Sequence, residues 1–405
     1  MTPEIKHRIE HIRRGEVPER YVKTALGLAP ANWKRYTFGD IYTERKEPGD
    51  EKLPLLMVSI HSGVSDGEVD AAELPKQVKR IEDKSQYKKA VSGDLVFNMM
   101  RAWQGAIGTV RTTGMVSPAY IAAEPNDKVY PLFMDYYSRT PQMINQIDRQ
   151  SYGVTDFRKR LYWDSFAPIG CILPPIEEQQ KIAAILTTQD KVIELKEKRL
   201  AEKQRQKKYL MQQLLTGKKR LPGFNGTWEK EKLGYICDIV KGEQVNKNSL
   251  YEVGKYYVLN GGVTPSGYTD TWNTSENTIS ISEGGNSCGF VNFNREKFWS
   301  SGHCYTLNSL NSSKIVNTFL YQYLKHHEYE IKSLRVGSGL PNIQKTALDN
   351  FGLTCPPIEE QTAIAEVLSA ADHEIDLLRQ DIEQEKQKKK ALMQLLLTGI
   401  VRVKT

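Results

Sequence analysis

An internal repeat constrains this chain more than any other feature of its sequence. The letters PPIEEQ begin at residue 174 and again at residue 356, and each copy ends in LLTG, at residues 217 and 399. The offset is 182 throughout, without a gap, and about half of the 44 aligned positions are identical. Such self-similarity predicts two copies of one structural unit within the 405 residues.

Each copy of the repeat has the pattern of a long helix. Proline at the first turn followed by two glutamates is a helix start signal, and a glycine closes each copy. The pairs Thr187/Asp190 and Ser369/Asp372 are similar to capping boxes, which predicts a second helix start there. The final helix of the first copy is therefore expected over about 190–215.

Apolar residues recur every seven positions in both copies. A strict seven-residue spacing predicts coiled-coil pairing of the two helices, interrupted in each copy by a lysine, Lys207 or Lys389. Two amphipathic helices that pack only on their own domains are the alternative. The predicted interface residues are Leu186, Ile193, Leu200, Leu214, Leu368, Ile375, Ile382 and Leu396.

A domain with the texture of a twisted, turn-rich sheet precedes each helical segment. The two domains share an entry, W-x4-[FL]-G-x-I at 33–41 and 228–236, but 53–120 and 256–305 have little in common. We therefore predict an α+β fold: two globular domains joined by two long helices that form an antiparallel coiled coil, with a pseudo-twofold repeat. The predicted boundaries are 1–32 (helix and linker), 33–173 (domain 1), 174–227 (central helical spacer), 228–355 (domain 2) and 356–405 (C-terminal helical spacer).

Charge and cysteine usage limit the class of protein. The net charge is +7, which mildly favours a polyanionic partner, yet the basic excess lies in 174–227, with twelve Lys and Arg against six Asp and Glu. The two domains themselves are nearly neutral. Five scattered cysteines without a CxxC pair argue against zinc and disulfides, so we expect a reduced, cytoplasmic protein with no membrane segment and no metal site.

These motifs together resemble the specificity subunit of type I restriction-modification systems. The repeated PPIEEQ start, the LMxxLLTG helix end, the duplication and the domain entry all carry the likeness, as do NMMRAWQGA at 98–106 and LNGG at 259–262. The resemblance implies two target recognition domains that each read half of a split site in double-stranded DNA, and a coiled coil that sets the spacing. It also implies two modification (methyltransferase) subunits and restriction subunits as partners, which would carry S-adenosylmethionine, ATP and Mg²⁺.

Some side chains have the chemistry to contact DNA. Arg101, Trp103 and Gln104 place a fork donor, a flat ring and an amide within four residues, and Arg and Gln suit guanine and adenine edges. Cations after the Gly153 turn suit phosphates. The predicted DNA-binding residues are Arg101, Trp103, Gln104, Tyr152, Arg158, Lys159, Arg160, Asn260, Arg335, Ser338, Asn342 and Lys345.

Catalytic motifs are not evident in the sequence. The Pro-Pro pairs precede Ile-Glu and so do not form a [DN]PP[YFW] methyltransferase loop, and no G-x4-GK[ST] phosphate loop occurs. Cys304 beside His303 is more typical of a small buried residue than of a nucleophile. We expect a non-catalytic subunit with no cofactor of its own. The alternatives are a subunit of a methylation-only complex, a helical protein-protein adaptor, and third a covert nuclease or methyltransferase.

Overall fold

The protein, seen in a computed structural model, divides into two units that each combine a mixed domain with helix segments. The structure describes residues 3–50, 52–61, 63–65, 86–153, 159–337, 339 and 341–403. Unit 1 comprises Met1–Leu195 and Ile382–Thr405, and unit 2 comprises Lys196–Asp381. None of the helices among the described residues has the length and apolar character needed to traverse a lipid bilayer.

Unit 1 is built around a four-stranded antiparallel sheet. Its helices are α1 (Pro3–Arg13), α2 (Phe38–Ile41), α3 (Pro131–Tyr137), α4 (Pro141–Gln150), α5 (Trp163–Phe166) and the first part of α6 (Ile176–Leu214). Its strands are β1 (Tyr21–Thr24), β2 (Gly27–Pro30), β3 (Lys34–Thr37), β4 (Tyr42–Arg45), β5 (Val58–Ser59), β6 (Gly63–Val64), β7 (Lys88–Ala90), β8 (Leu95–Asn98), β9 (Ile107–Thr109), β10 (Gly114–Val116), β11 (Tyr120–Pro125) and β12 (Gly170–Leu173). The central sheet has the order β4-β11-β8-β9.

Unit 2 repeats that sheet. Its strands are β13 (Glu229–Lys232), β14 (Asp238–Lys241), β15 (Tyr256–Leu259), β16 (Gly267–Thr269), β17 (Thr278–Ser282), β18 (Val291–Asn294), β19 (Trp299–Ser300), β20 (Cys304–Asn308) and β21 (Gly352–Cys355). Its helices are the second part of α6, α7 (Leu233–Ile236), α8 (Asn317–His326), α9 (Glu328–Ser333), α10 (Lys345–Asp349) and most of α11 (Ile358–Leu396), whose last turns belong to unit 1. The sheet order β14-β20-β17-β18 matches that of unit 1 position for position.

The strands outside this common sheet differ between the units. Unit 1 adds the pairs β1-β2, β5-β6 and β7-β10, whereas unit 2 adds the three-stranded sheet β16-β15-β19. In both units a two-stranded pair, β3-β12 or β13-β21, joins the start of the domain to its end. The fold is therefore α+β, with one framework present twice and different insertions, as the sequence predicts.

The repeated PPIEEQ segment binds each helix start to its domain through buried polar contacts. The Gln179 amide accepts the backbone N–H of Tyr130 at 2.8 Å and donates to the carbonyls of Lys128 and Pro174 at 2.9 Å. Gln361 makes the same three contacts in unit 2, with Val316, Lys314 and Pro356. Because an unpaired buried amide is unfavourable, these bonds fix where each helix leaves its domain.

The second glutamate of each motif forms a Trp–Glu–Arg cluster, which is Trp33–Glu178–Arg402 in unit 1. The Glu178 carboxylate is 1% exposed, accepts the Trp33 indole N–H at 3.2 Å and forms two 2.7 Å bonds with the Arg402 guanidinium. Arg402 also lies over the Trp33 ring. In unit 2 the cluster is Trp228–Glu360–Arg220, with the same bonds. One buried carboxylate thus connects the domain entry, a helix start and the chain that follows the other helix.

Both helices are continuous, and the predicted second start at residues 187–190 and 369–372 is wrong. α6 and α11 each span 39 residues without a break. The aspartates that suggested caps have other partners: Asp190 pairs with Lys389 and accepts the Tyr136 hydroxyl at 2.7 Å. In unit 2 Asp372 pairs with Lys207 and accepts the Gln322 amide at 2.7 Å.

The helix segments in each unit run antiparallel, and polar pairs cross between them. In unit 1 Gln189 bonds Glu385, and in unit 2 Lys196 bonds Asp381 at 2.8 Å and Lys203 bonds Glu374 at 2.8 Å. Of the predicted interface positions, Leu200 is half-buried, and those that are buried are Leu186, Ile193, Leu214, Leu368, Ile375, Ile382 and Leu396. A charged pair within an apolar interface specifies one alignment of two helices, which explains the lysines that interrupt the heptads.

Replacing Glu178 by Gln tests the unit 1 cluster. The amide removes the negative charge that Arg402 faces, so we expect the free energy of unfolding to fall by about 2–3 kcal/mol, because a broken ion pair leaves a partly buried charge without its partner. The measurement is the midpoint of chemical denaturation. Glu177→Gln, at the exposed neighbouring position, is the matched control and should change stability by less than about 0.5 kcal/mol. Equal midpoints for the two variants would contradict this role of Glu178.

Candidate DNA interface

In unit 1 strands β8 and β9 of the sheet are joined by a turn that carries three of the predicted DNA-binding residues. β8 is entirely buried, and the turn closes through hydrogen bonds from Asn98 N to Ala106 O and from Ala106 N to Arg101 O. Gly105 adopts φ +104°, which a residue with a side chain rarely adopts. Arg101 and Gln104 are exposed. The turn therefore presents a guanidinium and an amide at one end of the sheet.

A second segment of unit 1, the return loop, lies against this turn through its described residues 152–153 and 159–161. Tyr152 and Arg160 exchange two backbone hydrogen bonds, and Leu161 N donates to Met99 O at 2.8 Å. The Lys159 ammonium lies over the Trp103 ring, 5.3 Å from its centre, and pairs with Asp148.

The structure thus brings most of the unit 1 candidates together at one end of the sheet. They are Arg101, Trp103, Gln104, Tyr152, Lys159 and Arg160. Tyr152 and Arg160 are exposed, whereas Trp103 is half-buried and donates its indole N–H to the Met100 carbonyl. Arg158, also predicted, lies outside the described residues.

Unit 2 has the same two segments in the same relation. The turn between β17 and β18 closes with Ser282 N bonded to Phe290 O. The return loop of unit 2, whose described residues are 335–337, 339 and 341–343, is fixed by Ile343 N donating to Glu283 O. Val336 and Asn342 exchange two backbone bonds, as Tyr152 and Arg160 do in unit 1. The matching bonds align residues 98–106 with residues 282–290.

Of the predicted unit 2 residues that the structure describes, all but Lys345 cluster around this turn. Arg335 is exposed directly before the Val336 bridge, and Asn342 bridges Gly284 of the turn. Asn260 follows β15 and accepts the His303 N–H at 3.3 Å. Lys345 is exposed at the start of α10, outside the return loop. Ser338 lies outside the described residues.

One polar side chain at this end of unit 2, that of Glu283, is not among the DNA-binding residues predicted from the sequence. The Glu283 carboxylate contacts Lys241, His303 and Tyr305, which come from two other strands and a loop. The available signal is the alignment of the two turns, which pairs Glu283 with apolar Met99. That alignment depends on strand pairing, and the sequence pattern alone does not supply it.

The buried cysteines have the character of core residues. All five are free and buried, and burial raises the pKa of Cys171 and of Cys237 to about 12 and that of Cys355 to about 11. Burial also raises the pKa of Cys304, while the neighbouring His303 ring faces Glu283 at 3.3 Å. A thiol that stays protonated is a poor nucleophile, so the geometry fits the interpretation of Cys304 as a small buried core residue.

Comparison with known proteins shows the family. A family model described as the type I restriction modification DNA specificity domain matches residues 78–204 and 225–387. A putative type I specificity subunit of Mycoplasma pneumoniae is 37% identical over 160 residues, which cover 39% of this chain and 42% of that protein. The chain therefore spans about two fifths of the length of that relative.

Longer matches agree with this assignment. A putative type I restriction enzyme specificity subunit of Methanocaldococcus jannaschii is 26% identical, with 96% of this chain and 98% of that protein covered. The crystal structure of a type I system S subunit from M. genitalium superposes with a TM-score of 0.65 at 15% identity, covering 92% and 97% of the two chains. The chain belongs to the family of type I restriction-modification DNA specificity proteins, and its fold is the one found in such S subunits.

Alkylation of the native protein tests the burial of the thiols. At pH 8 a pKa of about 12 lowers the thiolate fraction about a thousandfold below that of a thiol with a pKa of 9, so iodoacetamide should modify Cys171 and Cys237 far more slowly in the folded chain than in denaturant. The unfolded thiols lose protons first as pH rises above about 9, so the free energy of unfolding should fall there. Rapid alkylation of native Cys304, read by mass spectrometry, would contradict its assignment to the core.

Proposed function

We propose that this chain is the DNA-reading subunit of a type I restriction-modification complex and recognises a bipartite site in double-stranded DNA. Domain 1 (33–173) reads one half of the site and domain 2 (228–355) reads the other. Binding directs adenine methylation, and cleavage, by partner subunits. Such a complex acts on DNA inside the cell, so the proposal places the chain in the cytoplasm.

The observation that carries this proposal is a shared backbone with different side chains. Each unit has its own four-stranded sheet of matching order, and at one end of that sheet an equivalent turn meets an equivalent return loop. Arg101, Ala102 and Trp103 in unit 1 align with Gly285, Asn286 and Ser287 in unit 2. A protein that reads two different sequences needs one scaffold to hold the loops and divergent groups to contact base edges.

The helices are the proposed spacer of the two half-sites. Each has 39 residues and so is about 58 Å long. Paired lysines and aspartates within the heptad interface favour one alignment of the helices over alignments shifted by a turn. A spacer needs such a fixed alignment, because a sliding pair of helices could not hold a constant gap between half-sites.

The proposal assigns the chemistry to partners. Two modification subunits would bind S-adenosylmethionine, and restriction subunits would bind ATP and Mg²⁺. In support, one structural relative, with a TM-score of 0.55 at 19% identity and 92% of this chain covered, comes from work titled as a study of complex assembly in the type I system. A complex that only methylates would use the same subunit without the restriction partner, and cleavage assays distinguish the two.

The first functional prediction concerns the DNA motif. Long-read sequencing of methylated bases, with and without this chain in cells that hold its modification subunits, should reveal a motif of two short defined blocks around an unspecified gap. Two independent reading surfaces on one chain require that pattern. A continuous motif that depends on this chain would overturn the bipartite proposal, and a helical adaptor without DNA readout would leave the motif unchanged.

The second functional prediction concerns independence of the halves. The double substitution Arg101→Ala and Gln104→Ala should relax base preference in one block by about fivefold to a hundredfold and leave the other block intact, since each base contact is worth about 1–3 kcal/mol. Arg35→Ala, an exposed arginine on the separate β3-β12 pair, is the matched control. Simultaneous relaxation of both blocks would show that the turn is not a reader of one half-site.

A further inference from the structure

Glu283 is a buried carboxylate at the start of the unit 2 turn that has no counterpart in unit 1. Its backbone N–H donates to His303 O, and its carbonyl accepts from Ile343 N, so it lies where three segments meet. The equivalent bonds in unit 1 join Met99 to Ala119 and to Leu161. The framework therefore forms without a charge at this position, and the carboxylate is an addition specific to unit 2.

The carboxylate holds two exposed basic side chains. Glu283 is about nine-tenths buried, and it bonds the Lys241 ammonium at 2.6 Å and lies 3.3 Å from His303 Nδ1. The side chains of Lys241 and His303 are 52% and 61% exposed. This arrangement differs from a core ion pair, in which both charged groups are withdrawn from solvent. Here only the acceptor is buried, and both donors remain exposed.

The arrangement fixes the direction of the histidine ring. Contact through Nδ1 with Glu283 Oε2 directs the opposite edge, with Nε2, away from Glu283. The Tyr305 hydroxyl donates at 3.3 Å to the other oxygen, Oε1, which also accepts from Lys241. The backbone N–H of His303 donates to the Asn260 side chain, so His303 lies next to a residue that the sequence predicts to contact DNA. A carboxylate that orients one imidazole nitrogen so that the other can bind a partner is a general device of histidine chemistry.

We propose that His303 contacts a base edge in the half-site read by domain 2, that Glu283 is its positioning residue, and that Lys241 contacts a nearby phosphate. This inference rests on the proposed DNA-reading function and names readers within it. Its chemistry is a polar ring atom that is aimed by a buried carboxylate, in a groove where hydrogen-bond patterns distinguish base pairs. The ammonium supplies an affinity that does not depend on sequence.

The test uses the full chain in its complex with modification subunits and a plasmid library of randomised sequence as probe. Methylated sites are read by long-read sequencing for wild type, His303→Ala, His303→Asn, Glu283→Gln and Lys241→Ala. His303→Ala should weaken base preference by about fivefold to a hundredfold at positions in one block only. Glu283→Gln should weaken base preference at the same positions, because the amide holds the His303 ring less firmly than the carboxylate does. The loss should be smaller than for His303→Ala, because the ring itself is still present.

Lys241→Ala should lower methylation at all sites alike and leave the motif unchanged, because a phosphate contact carries no base information. His373→Ala replaces an exposed histidine on α11 of the same unit and is the matched control. It should change neither the level of methylation nor the motif. Thermal unfolding of each variant accompanies the sequencing. The block read by domain 1 is an internal control for the His303 and Glu283 variants. A merely structural defect would also lower methylation without shifting preference in one block, so the phosphate assignment of Lys241 requires in addition that Lys241→Ala keeps the unfolding temperature of the wild type.

The outcomes separate the two proposals. If wild type has a bipartite motif and both stable His303 variants retain it unchanged in both blocks, the assignment of His303 is wrong and the proposed function stands. If no motif depends on this chain, the proposed function fails first. Should Glu283→Gln unfold, the exposed His303 variants decide alone, and a shift confined to the domain 2 block supports the inference.

Discussion

The buried carboxylates of the Trp–Glu–Arg clusters are the interactions on which the rest of each unit depends. Glu178 and Glu360 are 1% and 0% exposed, and a carboxylate so far from water is stable only with strong partners. Those partners come from distant parts of the chain: a tryptophan at the domain entry and an arginine beyond the end of the other helix. A change of one member alone is therefore destabilising, because it leaves a buried group without its partner.

The second constraint is the alignment of the helices. The pairs Lys389–Asp190 and Lys207–Asp372 occupy equivalent places in the two copies of the repeat, each with a further donor from the domain, Tyr136 or Gln322. An apolar interface alone tolerates a shift of the helices by one heptad. After such a shift each aspartate would face an apolar side chain in place of its lysine. The ungapped offset of 182 in the sequence is compatible with this requirement, since an insertion between the paired positions of one copy would separate them from their partners in the other copy.

The sequence predicts the repeated scaffold well, and most of the residues it proposes for DNA contact lie on segments that the structure brings together. The α+β framework, the two long helices and their antiparallel coiled coil follow from repeat, heptads and end signals. The second helix start was wrong because a capping pattern does not reveal that Asp190 pairs across helices with Lys389. The Glu283 cluster joins residues 241, 283, 303 and 305, and only the pairing β14-β20-β17 brings them together. Such clusters are beyond pattern reasoning, because the sheet order is not written in local periodicity.

The near neutrality of the two reading domains does not describe their surfaces. In unit 1 the Asp135 side chain is 5% exposed, whereas its partner Arg111 is 45% exposed. Glu283 in unit 2 is likewise buried under exposed Lys241 and His303. Formal charge counts a hidden carboxylate and an exposed cation equally, yet in the proposed complex DNA meets only the exposed groups. A carboxylate beneath the surface also holds its cation in one place, which lowers the entropy lost on contact. Balanced composition is therefore compatible with a surface of oriented donors, and such a surface favours base readout over indiscriminate phosphate attraction.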